Sequence, residues 1–196
     1  MEPVELRRSS RVRRWRLEVP WGAPVRLTVP RSATAEDVER VLADRRSWIE
    51  KQRQHQVPRL GLERLAVTES DARGRAQEIV AKLAVREAES LGVTYGRIRI
   101  GGQRTLWGSC SARGTLSFNW RLVLAPPEVF DYVVVHELCH LLVPNHSQSF
   151  WSLVEQHRPG WREQRAWLRE HGPELLAFQP SVHSGARVGG SRPRAE

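Results

Sequence analysis

The order of apolar and polar positions divides the chain into short alternating stretches and longer helical ones. Residues 1–10 carry no clear alternation and read as loosely ordered. Residues 11–19 mix Val12, Trp15, Leu17 and Val19 with arginines, and residues 25–30 alternate cleanly. The break Pro20-Trp21-Gly22-Ala23-Pro24 predicts that these two are strands joined by a tight loop. Thr34 ahead of Glu36 and Asp37 has the form of a helix cap. The helix it opens is predicted to run through about Gln54, burying Val38, Val41, Leu42, Trp48 and Ile49. Residues 55–68, with Pro58 and Gly61, read as a connector. A second helix is predicted from about Ser70 to Leu91, with Ile79, Leu83 and Val85 as its apolar side and Gly92 as its end.

Residues 97–100 alternate as a short strand. Residues 104–111 and 115–122 flank the turn pair Arg113-Gly114 and read as a hairpin or a pair of neighbouring strands. Pro126-Pro127 then opens a helix whose stretch 132–143 is almost wholly apolar, so it is predicted to be buried on every side, and Pro144 ends it at Val143. A helix over 148–156, capped by Ser147, packs through Phe150, Trp151 and Val154. Another runs from about Trp161 to Glu170 and stops at Gly172, with Trp167 and Leu168 inward. Residues 181–196 are rich in Gly, Ser and Arg, cannot build a core, and are expected to be disordered.

Three polar residues interrupt the apolar helix, in the order His136-Glu137-Leu138-Cys139-His140. Four residues apart on a helix, His136 and His140 lie one above the other and can grip one metal ion. Glu137 sits one step round the helix, where its carboxylate reaches water held by that metal rather than the metal itself. Zn²⁺ brings the pKa of such a water to ~7, within reach of a carboxylate base. A pair of ordinary core histidines is the bland alternative, but two histidines and a glutamate in so apolar a helix are costly without partners. The third ligand has two sources. Glu155, Glu163 and Glu170 lie on following helices, although each also suits a solvated face. His146 follows His140 with five residues between, the spacing of HExxHxxGxxH, with Val143 where that pattern has glycine. Pro144-Asn145 supplies the helix stop and a residue tolerant of left-handed backbone, so the spacing favours His146.

Composition changes this picture little. The chain has 196 residues, enough for one domain with a small attached lobe. Two cysteines, Cys110 and Cys139, make no disulfide framework and suggest a reducing compartment. No apolar run has the length of a signal-peptide core or a membrane span, so a cytoplasmic protein with no membrane association is expected. The formal net charge is +9. Such a balance admits a nucleotide or nucleic acid as partner through a basic surface. Yet Lys51 and Lys82 are the only lysines, and the arginines are spread along the chain rather than gathered in one block.

Four blocks together resemble the YgjP-like zinc metallopeptidase family, related in its catalytic half to SprT-like proteins. They are Trp107-Gly108-Ser109-Cys110-Ser111, Phe118-Asn119-Trp120-Arg121-Leu122, the run from Asp131 to His140, and Asn145-His146-Ser147 followed by Phe150-Trp151. Trp48-Ile49 extends the likeness into the first third, so it covers roughly residues 7 to 172. Leu106 departs from the family pattern, which has arginine before Trp107-Gly108. The resemblance implies zinc, three histidine ligands (His136, His140 and His146) and Glu137 as the base. It implies an α+β fold, with a small N-terminal β/α lobe over residues 7–60. A zincin-like catalytic half over 61–172 would then carry a mixed sheet and the HExxH helix.

The function expected is zinc-dependent hydrolysis of a peptide or protein. Arg121, Asn119 and His157 are candidates to stabilise the oxyanion, and the strand within Leu116–Leu122 is the candidate to offer its edge to an extended substrate. The alternatives are a metal-dependent phosphohydrolase acting on nucleotides and a zinc-stabilised nucleic-acid-binding protein. Glu137 speaks against the latter, because a structural zinc site needs no water-activating carboxylate and closes its fourth position with a protein ligand.

Overall fold

A computed structural model describes residues 2–54, 56, 59–62 and 65–181. The tail expected to be disordered therefore lies outside the described residues, apart from Ser181. Among them the fold is α+β, with two three-stranded mixed sheets and six helices.

The first sheet contains β1 (Val4–Ser9), β2 (Arg16–Glu18) and β3 (Val25–Pro30), in the order β1-β3-β2. Strand β1 corrects the expectation of a loose N-terminus. Its side chains are mostly exposed, which hides any alternation, and its place is set by a parallel backbone ladder with β3 and by Glu5 pairing with Arg26. Val25, Leu27 and Val29 of β3 point inward, and Leu27 and Val29 meet Val38 in a small core of their own. The cap at Thr34 forms as predicted, with Thr34 and Asp37 exchanging side-chain and backbone hydrogen bonds. The helix does not continue to Gln54, however. It divides at Arg45 into α1 (Ala35–Asp44) and α2 (Arg46–Gln54), and Trp48 ends up exposed rather than buried.

The larger core is built by the remaining elements. Helix α3 (Glu69–Leu91) is capped by Thr68 and closed by Gly92 at φ 65°. Its buried stripe is made of small residues, Ala72, Ala76, Ala84 and Ala88, with Val80 and Leu83, while Val85 is exposed. Alanine lets the neighbouring helix approach closely, and an aliphatic count alone misses that face. The second sheet has β4 (Ile98–Gly101), β5 (Gly108–Cys110) and β6 (Leu116–Asn119) in the order β4-β6-β5. Beyond β6 the chain tightens into a 3₁₀ turn, Trp120–Leu124, rather than extending the strand to Leu122.

Helix α4 (Pro127–Cys139) crosses behind this sheet with nine of its residues buried. Helices α5 (Gln148–His157) and α6 (Trp161–Ala177) pack on it from the other side. Ser147 occupies the N-cap of α5, but its hydroxyl bonds Ser149 Oγ instead of the helix backbone. Helix α6 does not stop at Gly172. It runs on through Pro173, held by buried Leu175 and by Glu174, whose carboxylate accepts from the backbone N–H groups of Arg59 and Leu60. Those contacts offset the hydrogen bond that proline removes. Arg158, just after α5, donates to Glu87 on α3 and to Asp131 on α4, both at 3.1 Å, and so ties three helices together. No helix among the described residues is long and apolar enough to cross a membrane.

Candidate metal centre

Pro127 opens α4 at a position where the missing N–H costs nothing. The apolar run after it buries the helix and carries His136 and Glu137 into its last turn. The α conformation ends at Cys139, four residues before the predicted stop, but His140 keeps helical backbone angles as the C-cap. The four-residue spacing is thereby preserved, and the two imidazole rings lie 4.9 Å apart. Leu141, Leu142 and Val143 then donate to the carbonyls of Leu138 and Cys139, which closes a tight turn. No non-glycine residue among those described has positive φ, so the reversal does not use left-handed backbone at Asn145. Asn145 acts through its side chain, whose oxygen accepts from Ser147 N–H.

This turn brings His146 back over the helix face. Nε2 of His146 lies 3.0 Å from Nε2 of His136, and one nitrogen from each of His136, His140 and His146 falls within 4.8 Å of the others. Two ring nitrogens this close need a proton or a cation between them. The outer nitrogens of His136 and His140 are committed elsewhere. His140 Nδ1 is 3.1 Å from the Val143 carbonyl, which can only accept, so Nδ1 carries the proton and Nε2 turns a lone pair to the cluster. His136 Nδ1 is 3.4 Å from the Tyr132 hydroxyl one turn earlier. Three clustered imidazoles, two of them with their outer nitrogens so fixed, are a donor set suited to a metal ion.

Aromatic residues from the next two helices hold the rings. Phe150, fully buried, stacks on His140 at 4.4 Å and meets His136 and His146 edge-on. Trp151 stacks on His146 at 5.5 Å, and Trp161 stacks on Trp151 at 4.2 Å. Burial, then the neighbouring His140, His146 and Arg165, push His136 down to about 3. His146 is lowered in the same direction by partial burial, His140 and Arg165. Both rings are thus held neutral, the form in which imidazole donates a lone pair.

Glu137 is buried beside this cluster and faces β5. Burial alone pushes its carboxyl up to about 8. A cleft of about 310 Å³ opens over it, walled on one side by Thr105, Leu106, Trp107 and Gly108 and on the other by Arg165, Leu168 and Arg169 of α6, with Tyr132, Val133, His136 and Glu137 as its floor.

The other sequence candidates lie elsewhere. Glu155 accepts from Trp161 Nε1 and pairs with Arg162, and Glu170 pairs with Arg59. Among the described residues, none of Glu155, Glu163 and Glu170 joins the histidine cluster. Arg121 lies over the Trp120 ring and donates to the Phe178 carbonyl. His157 meets Ser90. Asn119, fully buried, donates to the carbonyls of Gln103 and Leu106 and so braces the cleft wall from behind. None of Arg121, Asn119 and His157 lines the cleft. The substrate-edge expectation for Leu116–Leu122 also needs correction. Strand β6 is central, hydrogen-bonded by β4 and β5, and the open edge beside α4 belongs to β5. Sequence reading missed Arg165 and Arg169 altogether. The available signal was that neither has an acidic residue three or four positions away.

Among solved structures, the chain is similar to the metallopeptidase zymogen of Pyrococcus abyssi abylysin, with 26% identity and a TM-score of 0.42 over 46% of this chain and 93% of that one. It is also similar to the metallopeptidase zymogen of Methanocaldococcus jannaschii jannalysin, with 20% identity and a TM-score of 0.42 over 46% of this chain and 94% of that one. No curated protein matches it. The model of the YgjP-like metallopeptidase domain matches residues 55–171, a span holding the histidine cluster, Glu137 and both walls of the cleft, and the chain belongs to this family of metallopeptidases.

Proposed function

We propose that the protein is a zinc-dependent metallopeptidase in which His136, His140 and His146 hold the ion and Glu137 is the general base. The observation that carries this reading is a cluster of three imidazoles, with His136 and His140 braced through their outer nitrogens, beside an open cleft floored by His136 and the buried Glu137 carboxylate. Zinc bound there supplies Lewis acidity toward water and toward a carbonyl oxygen. Glu137 takes the proton from the attacking water and returns it to the leaving amine, the double duty of a carboxylate placed beside, and not on, the metal ligands. The Tyr132 and Val143 contacts keep the His136 and His140 rings in the orientation that binding requires. An extended peptide has room along the free edge of β5, next to Glu137.

Among the described residues, no feature favours the nucleic-acid-binding alternative. Many arginines are spent in ion pairs, among them Arg7, Arg16, Arg26, Arg46, Arg73 and Arg86, which offsets the charge available to a polyanion. The test combines metal analysis with peptide hydrolysis. The parent should bind about one zinc per chain and cleave a peptide library, whereas Glu137→Gln should keep the metal and lose activity by about 10²-fold or more. A Glu137→Gln variant as active as the parent would remove the general-base assignment.

A further inference from the structure

Among the described residues, two arginines stand in the cleft with no acidic partner. Arg165 and Arg169 are one turn apart on α6, and both line the cavity opposite Thr105–Gly108. Among the described residues neither makes a side-chain hydrogen bond or ion pair, although Arg162 on the same helix pairs with Glu155. Like charges four residues apart on a helix repel, and no carboxylate at the neighbouring turns relieves them. Glu137 is the sole carboxylate among the residues lining the cleft.

Arg165 is also held in place. Its guanidinium carbon lies 4.9 Å from the centroid of Trp151 and 6.0 Å from that of Trp161. Trp151 in turn stacks on His146. The cation is thus tied through an aromatic ladder to the histidine cluster. The cation–π contact holds the guanidinium over the ring, and among the described residues its N–H groups have no hydrogen-bond partner. A planar fork of free donors matches a carboxylate in two-point contact.

We propose that Arg165 and Arg169 form a carboxylate-recognising subsite, so that the enzyme selects peptides placing a negative charge on the α6 side of the scissile bond. The proposal rests on the peptidase reading of this cleft. The carboxylate has two sources, an acidic side chain or the free C-terminus of the substrate. Because α6 forms one wall of an open cleft, the charge must fall within a residue or two of the cleaved bond in either case.

The experiment has a binding arm and a turnover arm. In the first, zinc-loaded Glu137→Gln protein is titrated with a glutamate-bearing peptide, its glutamine counterpart, the same peptide amidated at its C-terminus, and a nucleoside triphosphate. The glutamate or free-carboxylate peptide should bind about 10-fold or more tightly than its neutral counterpart, the scale of one charge-assisted contact. Adding Arg165→Gln and Arg169→Gln should erase that difference without changing zinc content, and the amidated peptide separates the two carboxylate sources. In the second arm, the arginine double variant should lose more kcat/KM on acidic peptides than on neutral ones, so that the acidic-over-neutral ratio falls about 10-fold. Equal binding of acidic and neutral peptides, a preference that survives the double substitution, or tighter binding of the nucleotide than of any peptide would overturn the subsite. Failure of the parent to cleave any peptide that it binds would instead strike the peptidase reading and leave the binding result standing by itself.

Discussion

Glu137 rests so closely on the backbone of Gly108 that a β-carbon there would lie 2.5 Å from its Oε1 and 2.7 Å from its Cγ. Real side chains do not tolerate such an approach, so only glycine at this point of β5 allows the carboxylate its position. Gly108→Ala should displace Glu137 while leaving the histidines alone. Peptide hydrolysis should fall by about 10²-fold, comparable to loss of the base itself, with zinc content retained in elemental analysis. Full activity in Gly108→Ala would show that the carboxylate works from another position.

His146 is the exposed member of the cluster and the one held on a turn rather than on a helix. His146→Ala should weaken zinc binding by about 10-fold or much more, since one of three protein ligands is gone. Glu155→Ala should leave it unchanged, because Glu155 is spent on Trp161 and Arg162. Competition with a chromophoric chelator measures both. Retained affinity in His146→Ala would end the three-histidine assignment.

Arg158 joins Glu87 and Asp131 from the end of α5. Arg158→Met would leave the buried Glu87 carboxylate with only the exposed Arg86 as partner. A loss of about 1–3 kcal/mol is expected in chemical denaturation, the scale of hydrogen bonds lost between charged groups. Because α4 carries His136 and Glu137, zinc affinity should fall in parallel. An unchanged denaturation midpoint would mean that the three helices are held by packing alone.

Glu174 anchors the chain at Arg59 and Leu60 from the extended end of α6. Glu174→Ala should cost about 1–3 kcal/mol by leaving two N–H groups unpaired, and should open the chain near residue 60 to protease. Limited proteolysis with mass analysis reads this directly, and an unaltered digestion pattern would show that the anchor is dispensable.

Several features needed only neighbouring residues and were legible in the sequence. The Thr34 cap, the end of α3 at Gly92, the opening of α4 at Pro127 and the one-face spacing of His136 and His140 all involve groups within about one helical turn. Their geometry follows from backbone repeat and local hydrogen bonding. The return of His146 was legible too, as a ring spacing and a helix stop, though the turn forms by a different backbone route.

What the sequence could not decide depends on partners far along the chain. Strand β1 exists because β3 offers it a parallel ladder, and β5 is the open edge because β4 pairs with β6 from the other side. Helix α6 passes Pro173 because the Glu174 carboxylate and Leu175 find buried partners, which outweigh a local breaker. Arg165 becomes part of the cleft only when α6 packs on α4 and the Trp151–Trp161 stack fixes its guanidinium. Propensity and periodicity act over a few residues, whereas strand order and the walls of a cleft are set by which distant surfaces bury each other, and that was settled by the tertiary structure.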